Sequence, residues 1–102
     1  MKDFRVEAIA QTEFEEAAVW YERQRSGLGL EFIAEVDCVL VRIAHADRFT
    51  TAPIATMRGG VIRREFVDRF PYHVIFVETE ALRRVIMIRR GSSAPARWRS
   101  RV

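Results

Sequence analysis

The stretch RREFVDRFPYHVIFVE, residues 63–78, decides how this chain folds. It holds most of two apolar runs and the short polar break between them. In VIRREFV (61–67), Ile62, Arg64 and Phe66 alternate with Val61, Arg63, Glu65 and Val67, the period of two that a strand requires. YHVIFVE (72–78) is apolar on both faces, which suits a central strand. Pro71 lacks an amide proton and has a fixed φ, so it opens that strand. Downstream, RVIMIRR (84–90) reads as a third strand, with turns at 68–71 and 80–82. Three strands joined by short turns predict an antiparallel meander.

Upstream the period changes. DFRVEAI (3–9) alternates Phe4, Val6 and Ala8 with charged residues and predicts one short strand. In TEFEEAAVWYERQRSG (12–27), Thr12 and Glu15 have capping-box spacing, so a helix is expected to start there. Phe14, Ala17, Ala18 and Tyr21 make one apolar stripe, and Ser26-Gly27 stops the helix. A second helix follows, with its stripe on Phe32, Val36, Val39, Leu40 and Ile43. Cys38 beside that stripe reads as small packing filler, and His45 falls near the helix end. TTAPIATMRGG (50–60) reads as a connection. The order β-α-α-β-β-β predicts an α+β fold, a helical hairpin on one face of a four-stranded antiparallel sheet. Arg63 or Arg64, Arg69, Arg89 and Arg90 are expected to make the sheet's opposite face basic.

The 102 residues suit a single domain spanning 1–102, with a basic tail at about 92–102. Apolar residues make up 49%, which excludes a disordered chain, and no run approaches the ~20 residues of a membrane span. The N-terminus does not read as a signal peptide, and one cysteine, Cys38, points to a reducing, cytoplasmic setting. Charge is uneven. Residues 1–47 carry 5 basic and 10 acidic side chains; residues 48–102 carry 12 and 4. Sixteen of the 17 basic residues are Arg, a bias that a GC-rich genome also produces. The placement of that charge suggests a partner with acidic groups, protein or nucleic acid. No phosphate loop, metal-ligand cluster or Ser/Cys–His pair appears, so no cofactor and no metal is expected.

The element order, AVWYERQRSGLGLEF (18–32), RREFVDRFPYHVIFVE and a closing APARW (94–98) together resemble the RelE/ParE superfamily of bacterial toxins, over about residues 3–101. The resemblance implies a growth-arresting protein held inactive by a cognate antitoxin, as in type II modules including those that stabilise plasmids. RelE-like members cut mRNA on the ribosome; ParE-like members poison DNA gyrase. The nucleases close on a pattern like His-x-x-Arg-x-Pro-x-Tyr-Trp. Anchored on Pro95 and Trp98, this chain has Arg90, Ser93 and Arg97 at those His, Arg and Tyr positions. Arginine can clamp a phosphate but does not shuttle protons, so the resemblance favours the ParE-like branch. An atypical nuclease would draw on Arg64, His73, Arg89 and Arg90, with His73 as base in the company of Glu65 and Arg63. Contact with antitoxin or target is expected at Arg63, Arg64, Arg69, Arg89, Arg90, Arg97 and Trp98. A degenerate, non-toxic binding module is the third reading. The tail is expected to stay loose until a partner covers Trp98.

Overall fold

The computed structural model describes residues 2–91 and 97–102. Strand β1 (Asp3–Val6) leads into α1 (Ala8–Gln24) and α2 (Leu28–His45). Strands β2 (Ala55–Met57), β3 (Gly60–Phe66), β4 (Tyr72–Thr79) and β5 (Leu82–Arg90) follow, and a 3-10 helix (Arg97–Arg101) closes the chain. The sheet order is β1-β5-β4-β3-β2. The α+β architecture read from the sequence is therefore present, with two amendments. Part of the expected 50–60 connection pairs with β3 as a fifth strand, reversing through Gly59 at φ 85°. β1 joins β5 in parallel, Asp3 to Val6 opposite Leu82 to Val85, so the sheet is mixed. The intervening helical hairpin lets β1 return to the sheet on that edge.

α1 starts at Ala8 behind Glu7, which makes no side-chain cap, so the Thr12 box lies inside the helix. The predicted stripe is buried: Phe14, Ala17, Ala18 and Tyr21 pack on Phe32, Val36, Val39 and Ile43 and on Val74, Phe76, Val85 and Ile88 of the sheet. Leu40 packs at the margin of this core. Cys38 is exposed rather than packed, because it points away from the stripe.

The helix pair is fixed at its turn. Gly27 has φ 89°. The Glu22 carboxylate accepts from Gly27 N at 2.9 Å and from Gly29 N at 3.0 Å. A Cβ on Gly29 would stand 2.7 Å from the Ala18 carbonyl oxygen, so only glycine lets the helices approach here. Arg69, at φ 70° in the β3–β4 turn, pairs with Glu31 and Glu35 of α2 and ties that turn to the hairpin.

The face of the sheet away from the helices does not become the basic surface expected. It carries a second apolar cluster, Ile62, Ile75, Val77, Ile86 and Met87, with Met57 and Trp98 against it. A bulge supports this: Phe76 faces Val85 while Ile75 faces Met87, leaving Ile86 as the extra residue. Trp98, expected to stay loose until a partner covers it, lies in the 3-10 helix against that cluster; residues 92–96 of the expected tail lie outside the described residues. Ser93 and Pro95 of the expected closing pattern lie outside the described residues.

Candidate functional site

The arginines that the sequence groups together are separated by the alternation of the strands. Arg63 faces Phe76 in register and so lies on the helix side. It donates to Glu78 at 2.7 Å and to the Thr51 carbonyl, and stacks over Phe49, so its donors serve the fold. Arg69 is held by the α2 carboxylates. Arg90 faces Tyr72 on the helix side. Arg97 is exposed on the terminal 3-10 helix.

Of the nuclease candidates read from the sequence, Arg64, His73 and Arg89 share the far face. Phe66 and Arg89 flank His73 in register, and Arg64 lies two residues along β3 from Phe66. The Arg64 guanidinium sits 5.0 Å over the Phe66 ring, which is 61% exposed. Glu65 and Arg63, expected beside His73, point to the opposite face, where Glu65 pairs with Arg42 of α2. His73 is 6% exposed, and neither ring nitrogen has a hydrogen-bond partner among the described residues. Burial, reinforced by the Arg64 charge, holds its pKa below the ordinary histidine value. A neutral imidazole with Arg64 and Arg89 nearby is the chemistry of a base beside an anion clamp, but both nitrogens are shut from solvent.

The second constellation lies where α1 crosses β5. β1 covers only Leu82 to Val85, so residues 86–90 of β5 have no neighbouring strand on that side among the described residues. Side chains take over. Glu13 Oε1 accepts from Ile88 N at 3.1 Å, and Arg101 Nη1 donates to the Ile86 carbonyl at 3.0 Å. Glu13 and Arg101 form a two-pronged pair at 2.7 and 3.0 Å, and Arg89 Nε stands 3.6 Å from Glu13. Beside this clasp opens a cleft of about 470 Å³ lined by Glu13, Ala17, Trp20, Tyr72, Ile88 and Arg90, among others. Trp20 is 49% exposed there. Burial pushes the Tyr72 phenol up, so it remains a donor at neutral pH.

Sequence reasoning missed Glu13, Arg101 and Arg83. Glu13 reads as an ordinary first-turn acid and Arg101 as tail charge; their link spans nearly the whole chain. Arg83 has 3% of its side chain exposed and donates to Glu78 and to the carbonyls of Ile43, Ala46 and Asp47 at the end of α2. A larger cleft of about 650 Å³ beside it, lined by Lys2, His45 and Glu80 among others, therefore offers no free buried cation. Among the described residues no His, Cys, Asp or Glu group could hold a metal, and no helix is long and apolar enough to cross a membrane.

No protein-family model and no curated protein matches the sequence. The fold does have a solved counterpart. A chain of the chromosomal ParDE TA system from P. aeruginosa superposes with a TM-score of 0.73, over 88% of this chain and 96% of that one, at 12% identity. The two chains thus share a fold.

Proposed function

We propose that this chain is the toxin half of a type II toxin–antitoxin module, acting in the cytoplasm and silenced by tight binding of an antitoxin made beside it. The observation that carries the reading is the fold shared with a ParDE chain across nearly the whole length of both. The exposed Trp20 cleft supports it, because such a surface on a small chain calls for a partner. The toxin acts by binding, in the ParE manner, with DNA gyrase as target. The arrangement at the far face supports this over chemistry: the histidine is enclosed and the arginines are dispersed.

Induced expression with and without the neighbouring gene tests the reading. Growth arrest with filamentation and SOS induction, relieved by that gene, is the expected outcome. Rapid loss of translation with cut transcripts would instead favour a RelE-like mRNA interferase. The observation behind that second reading is that Arg64, His73 and Arg89 do share one face. Arg64→Ala, His73→Ala and Arg89→Ala would then each abolish RNA cleavage, whereas a gyrase-directed toxin keeps its toxicity in stable His73 variants. Growth unaffected by the intact chain would leave only a degenerate binding module.

A further inference from the structure

We propose that the outer edge of β1 is a self-association surface, on which a second copy of this chain pairs antiparallel about a twofold axis at Phe4 and joins the two sheets into one. The inference does not use the function proposed above.

The margins of the sheet differ in what they leave free. The part of β5 beyond β1 is closed by Glu13 and Arg101. β2, at one end of the sheet order, spans only Ala55–Met57 and carries no charged side chain. β1, at the other end, offers free backbone and charge together. Asp3 N donates to the Ala81 carbonyl and Glu7 N to the Val85 carbonyl, so the odd-numbered residues turn their polar groups toward β5. Alternation then points the N–H and C=O of Phe4 and Val6 away from the sheet. They have no backbone partner there among the described residues. An unpaired row of this kind is a template for another strand.

The sequence of this edge is its own complement. In an antiparallel pair centred on Phe4, Asp3 lies opposite Arg5 of the second copy, and Arg5 opposite its Asp3. Phe4 faces Phe4, and Lys2 faces Val6. These last are the hydrogen-bonded positions, so the free backbone groups of each copy meet those of the other. Asp3 and Arg5 take the non-hydrogen-bonded positions, where opposed side chains stand closest. Both are exposed and neither has an ion-pair partner among the described residues, whereas Lys2 pairs with Glu78 and Glu7 with Arg84. Arg5 also lies opposite Arg84 in register, a like-charge neighbour that a carboxylate from the second copy counters. On the helix side, Phe4 and Val6 are half-buried against the core, and the second copy lengthens that apolar row. Moving the axis to Arg5 would set Arg5 against itself, so charge fixes the register. The contact is isologous and closes at two copies. A strand of four residues buries little surface. The dimer is therefore weak, half-formed at about 10–100 μM.

Sedimentation equilibrium of the whole chain, from about 1 μM to 1 mM, is expected to show this dimer. Amide exchange at Phe4 and Val6 is expected to slow as concentration rises, while that at Arg5, already bonded to β5, stays constant. Asp3→Arg alone and Arg5→Asp alone each oppose like charges, and each is expected to weaken association at least about tenfold. Mixing the two single variants restores opposite charges at both positions and is expected to restore association. The double variant Asp3→Arg with Arg5→Asp keeps the net charge and the self-complementarity, and is expected to dimerise as the parent does. A chain that stays monomeric throughout the range overturns the proposal. So does association that survives either single reversal, or a mixture and a double variant that fail to recover it. Concentration-dependent protection at Met57 or Ile88 in place of Phe4 and Val6 would assign self-association to another edge and also overturn it. None of these readouts depends on growth arrest, so a chain that fails the growth test can still pass this one.

Discussion

His73 is the residue whose environment departs most from its chemistry. Its ring is buried without a hydrogen-bond partner among the described residues, and burial with the Arg64 charge lowers its pKa in the folded state. The unfolded chain, with an ordinary pKa near ~6.5, therefore takes up the proton first. Stability is full above that value and falls as pH drops below it toward the folded pKa, by up to about 1.4 kcal/mol per pH unit. Urea midpoints at pH 7.5 and 5.5 check this, and His73→Phe is expected to remove the difference while holding stability at pH 7.5 within about 1.5 kcal/mol. Glu78 behaves in the opposite sense. Burial alone would raise its pKa, but hydrogen bonds from Arg63, Arg83 and Lys2 outweigh it and the net shift is downward. That contribution is present above the ordinary carboxylate range and is lost at lower pH than the histidine effect. Removing Arg83 strips Glu78 of its most buried partner and takes a donor from the Ile43, Ala46 and Asp47 carbonyls at and just past the end of α2. Arg83→Met is expected to cost roughly 3 kcal/mol in denaturant unfolding.

At the scale of elements, the hairpin and the meander were legible because their periods, 3.6 and 2, persist over many residues. The Phe14-to-Tyr21 and Phe32-to-Ile43 stripes reach the core as spaced. What failed to show was whatever depends on a distant neighbour. Ala55–Met57 is too short to display a period, and only pairing with Gly60–Ile62 makes it a strand. The placement of Arg63 and Arg64 needed the register against β4, which no local pattern supplies. Gly29 follows the Ser26-Gly27 stop in sequence, yet its main duty is the close approach to Ala18, which no local pattern displays. Gly29→Ala is expected to destabilise by about 1–3 kcal/mol, because the new methyl meets backbone rather than a movable side chain. Thermal unfolding measures it, with Ala34→Gly, at an exposed α2 position, costing only about 1 kcal/mol.

For the whole molecule, the sheet separates two apolar layers, and the second is closed by Trp98. Trp98→Ala is expected to remove roughly 2 kcal/mol, and to loosen amide exchange at Ile86 and Met87 more than at Val36. Two linkages, β1 to β5 and Glu13 to Arg101, join the beginning of the chain to its end. Translation delivers these partners last. A nascent chain halted before residue 82 has no strand for β1 to lie against, and one halted before 101 cannot complete the side-chain clasp. With synthesis at about 5–20 residues per second, several seconds separate the first strand from its neighbour. The sheet and the clasp that ties its edge are thereby withheld until synthesis has passed residue 101.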